Sequence, residues 1–188
     1  MKERIKKAAI LGAMALTVLF MTSSLLAASD NPYGTVSGET APSGNLALGK
    51  PATQSSTDYE GEAGRAVDGI TNGAWAAGSV THTKDEAQPW WQVDLGGSQP
   101  IEKILLWNRT DCCSDRVSNY YVLVSDAPIE SPLLAEALEQ PGVSSFYQPG
   151  RAGNPSTVSV GGTGRYVRIQ LVGPGALNIA EVQVVPSS

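Results

Sequence analysis

The run Pro89-Trp90-Trp91-Gln92-Val93-Asp94-Leu95-Gly96 alternates large apolar and polar side chains and ends on a glycine. Alternation at period two marks a half-buried β-strand. Working outward, Ile101–Asn108 (IEKILLWN) has the composition of a second strand, and Tyr120–Ser125 (YYVLVS) that of a third. Thr157–Val160 is a short further strand, while Arg165–Val172 (RYVRIQLV) and Ala180–Val185 (AEVQVV) alternate cleanly again. Short strands with Gly and Pro at their breaks predict an all-β sandwich. Only Leu133–Leu138 (LLAEAL) has a helical pattern, inside an otherwise irregular excursion from Asp126 to Pro155. The chain has no internal repeat.

The N-terminus carries an address rather than a fold. Lys2, Arg4, Lys6 and Lys7 precede an apolar stretch from Ala8 to Met21, and small residues follow at Ala27, Ala28 and Ser29. Basic, apolar, then small is the order of a secretory signal peptide. The apolar stretch is shorter than the roughly 20 residues of a spanning helix. Residues 1–28 are therefore expected to be a signal peptide, and the protein to be secreted, extracellular or periplasmic. Residues 29–44 are rich in Pro, Gly, Ser and Thr and are expected to be a flexible spacer. The folded domain is expected over residues 45–188.

The full chain has a net charge of −5. Residues 1–28 hold four basic groups and one acidic group, so cleavage there would leave −8. Such a surface repels phosphate backbones, which argues against a nucleic-acid partner. It also offers no polybasic patch to anionic lipid, and membrane insertion is not expected. The two cysteines, Cys112 and Cys113, are adjacent. An exported chain can oxidise them to a small ring, and free thiols or bridges between chains are the alternatives.

His82 is the single histidine. Alone it would pass for a structural side chain. The stretch from Arg109 to Arg116 changes that, because it gathers two arginines, Asp111, Asp115 and the cysteine pair in a loop directly after a strand. Arginine presents a rigid planar fork of donors that can bridge adjacent hydroxyls. Histidine can donate at one ring nitrogen and accept at the other. Asp111 can hold an arginine fork or bond a hydroxyl itself. Trp75 can supply an aromatic wall. These are the elements of a neutral-sugar site.

Twenty-six residues separate His82 from Arg109, one separates Arg109 from Asp111, and four separate Asp111 from Arg116. This spacing, with adjacent cysteines inside it, resembles the fucose-binding motif of the F-type lectins, or fucolectins. NLALGKPATQSS from Asn45, AVDGITNGAW from Ala66, PWWQVDLG from Pro89 and LNIAEVQVV from Leu177 resemble the same family and its discoidin-like, galactose-binding-like superfamily. The resemblance implies a jelly-roll β-sandwich of about eight strands and a lectin for L-fucose and fucosylated glycans. It implies that His82, Arg109 and Arg116 bond the sugar ring oxygen and the hydroxyls around the axial 4-OH. The Cys112–Cys113 ring would pack on the sugar face and Trp75 would lie near the methyl group. It further implies a structural calcium ion. Its ligands would be the carbonyls of Arg65, Ile70 and Ala180, the Ser79 oxygens, and the carboxylates of Asp68 and Glu181, an all-oxygen set of the kind calcium takes.

Two positions depart from the family pattern. Ala76 stands where some members carry a second aromatic, and the loop Tyr59–Gly64, expected to rim the site, has no evident counterpart. The sequon Asn108-Arg109-Thr110 falls inside the site and is discounted for that reason. Competing readings are a carbohydrate-binding module for other sugars, a discoidin-like module for a protein or lipid surface, and a glycoside hydrolase. A hydrolase needs two carboxylates flanking the scissile bond. Asp111 and Asp115 are close in sequence and each has an arginine nearby that would keep it ionised. Single sugar sites are weak, so a homo-oligomer would supply avidity.

Overall fold

The alternating run at residues 89–96 becomes the first part of a 19-residue strand, β2 (Trp90–Asn108). Trp91, Val93 and Leu95 point into the core, at 0–3% exposure, while Trp90, Gln92 and Asp94 point away from it. The structure is a computed structural model and describes residues 44–188. The expected signal peptide and nearly all of the expected spacer lie outside the described residues.

The other strands are β1 (Ala52–Gln54), β3 (Ser118–Ser125), β4 (Ser144–Arg151), β5 (Ser156–Leu171) and β6 (Ile179–Pro186). A short helix, α1 (Leu134–Glu139), and two 3-10 turns, Ala63–Val67 and Trp75–Ala77, complete the elements. All strand pairs are antiparallel, in the order β1-β2-β5-β3-β4, with β6 added to β2.

β2 and β5 organise the sandwich. Their ladder runs from Trp90–Gln170 to Leu106–Ser156, with register shifts between Asp94 and Gln99 and between Ile101 and Lys103. Such irregularities bend and twist a strand. Gly96, at φ 87°, adopts the left-handed backbone at the first shift. The first half of β2 pairs with β1, and its second half pairs with β6. The inward faces of both halves meet in one core of Trp91, Val93, Ile104, Leu106, Val158, Val167, Ile169, Val182 and Val184. This is the expected all-β sandwich. Among the described residues it has six strands, not eight. The segments predicted separately at 89–96 and 101–108 are one bent strand, as are those at 157–160 and 165–172.

Two strands lay hidden from the sequence pattern. β1 is three residues long. β4 contains Pro149 and Gly150, which normally interrupt a strand, but it lies at the sheet edge, where a missing N–H costs no ladder bond. Arg165–Val172 carries a second difference. It alternates as expected, yet its polar residues Arg168 and Gln170 are buried as fully as the apolar ones. The excursion after β3 covers them. Arg168 donates to the carbonyls of Ser131, at 2.6 Å, and Ile129, and lies over the Trp90 ring at 4.4 Å. Leu123, Ile129, Leu134 and Ala137 seal this cover with a small core of their own. Among the described residues no helix is long and apolar enough to cross a membrane.

Candidate functional site

The end of β2, the start of β3 and the start of β6 converge, and the predicted residues gather on the loops there. His82 sits on a buried segment that is zipped to the approach of β6. Thr81 N–H donates to the Ile179 carbonyl at 2.8 Å, and Thr83 N–H to the Leu177 carbonyl at 3.1 Å. The two threonine hydroxyls accept from Ile179 N–H and Leu177 N–H at 3.0 and 2.8 Å. The histidine between them is therefore fixed in position and 6% exposed.

Its tautomer follows from its neighbours. Nδ1 lies 2.6 Å from the Thr83 carbonyl, which can only accept, so Nδ1 carries the hydrogen. Nε2 then has a lone pair, 3.2 Å from an Arg116 guanidinium nitrogen that can only donate. The same nitrogen donates to Asn178 Oδ1 at 3.0 Å, and the buried Asn178 amide donates to the Thr81 carbonyl at 3.2 Å. Asn178 thus orients Arg116, a role that its sequence position did not reveal.

Arg109 is held by Asp111, with Nε 2.7 Å and Nη2 3.3 Å from the two carboxylate oxygens. This contact, followed by other hydrogen bonds and opposed by burial, draws the Asp111 carboxyl down to about 2. The Arg109 guanidinium lies 5.0 Å from the Trp75 ring centre, and that of Arg65 lies 5.6 Å from it. Trp75 meets His82 edge-on at 5.8 Å. Tyr59 meets His82 from the 59–64 loop, edge-on at 5.0 Å, and is 70% exposed. The Gly61 carbonyl accepts the His82 N–H at 2.8 Å, so the departing loop does rim the site. Cys112 and Cys113 are joined in a vicinal disulfide, with Cys113 at φ 57°.

One expected contact is corrected. Arg116 was read as a neighbour that would keep Asp115 ionised. Its guanidinium turns instead to His82 and Asn178, and Asp115 forms no ion pair among the described residues.

Asn108, at the end of β2, fixes the loop. Its amide donates to the carbonyls of Ser114 and Ala152 at 2.8 and 3.0 Å, and its oxygen accepts the Arg109 N–H at 2.8 Å. It is 2% exposed, so the sequon is closed to modification in the fold. Gly73 approaches the Asn108 carbonyl so closely that a side chain there would collide with it.

Four of the predicted calcium ligands, Arg65, Asp68, Ile70 and Ser79, also gather. The Ser79 hydroxyl oxygen lies 2.9 Å from both Asp68 carboxylate oxygens, 3.2 Å from the Ile70 carbonyl and 3.3 Å from that of Arg65. One hydroxyl proton cannot serve four acceptors, so the cluster is rich in oxygen lone pairs. Glu181 is fully buried, and its Oε2 has no partner among the described residues. Burial raises its carboxyl to about 8. Ala180 is the extra residue where the β2–β6 register shifts between Trp107–Glu181 and Asn108–Ile179. Bulge positions are left unpaired in the ladder. Among the described residues no three His, Cys, Asp or Glu side chains cluster around a metal position. The expected set has two carboxylates, with carbonyl and hydroxyl oxygens supplying the rest, and these residues fit a calcium ion.

Residues 65–169 match the family model for the NedA-like, galactose-binding domain. Fucolectin-1 of the eel Anguilla japonica is 30% identical over 151 residues, 74% of this chain and 79% of its own length. The chain belongs to the F-type lectin, or fucolectin, family. A fucose binding module of Streptococcus pneumoniae is 35% identical, with a TM-score of 0.67, over 77% of this chain and 98% of that one. The lectin domain of lectinolysin, complexed with Lewis B antigen, is 34% identical, with a TM-score of 0.68, over 78% and 99%.

Like its lectin and carbohydrate-binding relatives, this F-type lectin is not an enzyme. The site carries no poised acid at Asp111, which stays ionised through the neutral pH range. Asn178 and the Arg65 guanidinium were not legible as site residues: Asn178 lies 62 residues beyond the Arg116 it holds, and Arg65 reaches the Trp75 ring only through the folding of the 63–77 segment.

The F-type lectin's histidine sets a pH dependence. Burial lowers the His82 pKa below 6.5; Arg116 and Arg109 add to this, while the Thr83 carbonyl and Asp58 oppose it. The unfolded chain therefore takes up a proton near 6.5 before the folded one does. Stability from this group is full above 6.5 and declines as pH falls from there toward the lowered folded value. Melting curves of the wild type and His82→Gln across that range check this. The wild type should lose more stability on acidification, and parallel curves would exclude His82 as the cause.

Proposed function

We propose that this chain is a non-catalytic lectin for L-fucose and fucosylated glycans, exported to the cell exterior or periplasm and stabilised by calcium. The observation that carries the reading is the fixed polar array. A neutral, buried His82 shares its Nε2 with Arg116, and Arg109 is locked by Asp111 beside Trp75 and the vicinal disulfide.

The array suits a neutral sugar. Forked guanidinium donors can bridge neighbouring hydroxyls, and the disulfide and Trp75 offer apolar surface to C–H groups. The array is built before the ligand arrives, so little ordering is left to oppose binding. A sugar with one hydroxyl inverted would leave a guanidinium donor unpaired, which rejects it strongly. The named ligands of the streptococcal module and of lectinolysin support the same sugar class. The basic, apolar, then small order of the N-terminal residues supports export. A homo-oligomer would raise the weak affinity of single sites.

Calorimetric titration with L-fucose, D-galactose and D-mannose tests the reading. Saturable binding of fucose alone is expected. Equal binding of galactose would favour a module for other sugars, and free sugar released from a fucosylated oligosaccharide would return the hydrolase reading.

A further inference from the structure

A cavity of about 340 Å³ lies on the flank of the 109–116 loop, between Arg109, Thr110 and Ser114 on one side and Arg151, Gly153 and Asn154 on the other. Neither wall carries a carboxylate side chain. In a chain whose net charge is −5, a cavity lined by two arginines and no acid runs against the overall composition. The two arginines differ. Arg109 is already neutralised by Asp111. Arg151, the last residue of β4, is exposed and forms no ion pair among the described residues.

Both walls are fixed by one side chain. Asn108 donates to Ser114 on the loop and to Ala152 beside Arg151, and its own N–H donates to Asn154 Oδ1 at 3.0 Å. Because that oxygen is engaged, the Asn154 side chain has its amide hydrogens left to offer a ligand. The Ala152 N–H bond to the Val117 carbonyl, at 2.8 Å, anchors the Arg151 end to the start of β3. The cavity is therefore lined by Arg151, the Asn154 amide and the hydroxyl-bearing Thr110 and Ser114, on a main-chain frame that Asn108 holds in place.

We infer that this cavity is a subsite for an anionic substituent, a sulfate or a carboxylate, on the glycan whose fucose occupies the neighbouring site. The inference rests on the fucose-binding reading. Arg151 is its specificity-determining residue, because a guanidinium fork matches the paired oxygens of either group. Arg109 lines both compartments and links them.

The test measures three ligands by calorimetry: a neutral fucosylated oligosaccharide, its sulfated form and its sialylated form. The acidic form that reaches Arg151 should bind roughly tenfold tighter than the neutral one, as a charge-assisted hydrogen bond supplies. That gain should shrink with added salt. Arg151→Ala should remove the gain and leave the neutral ligand's affinity unchanged. A gain for one acidic form and not the other identifies the group. Neither form binding tighter, or a gain that survives Arg151→Ala, overturns the subsite while leaving the fucose reading in place. Absence of binding by the neutral ligand overturns both. The exposed position of Arg151 makes loss of folding in the variant unexpected, and a thermal melt checks it.

Discussion

Arg109→Ala is expected to abolish measurable fucose binding and leave the fold intact. The guanidinium is the partner of Asp111 and lies over Trp75, so its loss removes donors to the sugar and the group that positions the aromatic wall. Hydrogen bonds to charged groups contribute about 1.5–3 kcal/mol each, so losing two lowers affinity by a hundredfold or more. The main chain is not affected, because the Arg109 N–H bond to Asn108 and the Thr110 N–H bond to the Gly73 carbonyl remain. Calorimetry with fucose reads the affinity and a thermal melt reads the fold. An unchanged affinity would sink the site assignment. Asp111→Asn separates the two roles of the carboxylate. If Asp111 acts by holding the fork, the amide should weaken binding less than Arg109→Ala.

Chelation is expected to lower the melting temperature. An ion that binds only the folded chain stabilises it by about 2.7 kcal/mol at a hundred times its dissociation constant. For a domain of this size that corresponds to a shift of roughly 5–10 °C. The Ser79 hydroxyl among four oxygens and the unpartnered Glu181 oxygen are the features such an ion would satisfy. Asp68→Asn is the control, since the amide removes one of two carboxylates. Its melting temperature should be lower and should no longer respond to chelator. A wild-type melt indifferent to chelator would remove calcium from the assignment.

Much of the sandwich was legible because strand alternation is a local property. Trp91, Val93 and Leu95 declared their face through period two alone. The joining of segments into β2 and β5 was not legible, because Gly96 reads equally well as a strand end or as a bend. Nor was the burial of Arg168 and Gln170, which depends on what the chain between β3 and β4 covers. The helix at Leu133–Leu138 was read correctly within a residue. The strand after it was not, since Pro149 and Gly150 forbid a central strand but not an edge.

In the site, the sequence alone determined the residue types and their spacing: His82, Arg109, Asp111, the cysteine pair and Arg116. Spacing within one loop survives folding, which is why Arg109 and Asp111 could be paired in advance. Only the tertiary structure decided the tautomer of His82, the turn of Arg116 away from Asp115, and the recruitment of Tyr59, Arg65 and Asn178. The turn of Arg116 and the recruitment of Tyr59 and Asn178 depend on hydrogen bonds or ring contacts between segments distant along the chain. The Thr83 carbonyl and Trp75 act on His82 and Arg65 from nearer by, through backbone geometry that the fold sets. Such contacts leave no periodic trace in sequence, because their geometry is set by how β2, β3 and β6 converge rather than by any residue's neighbours.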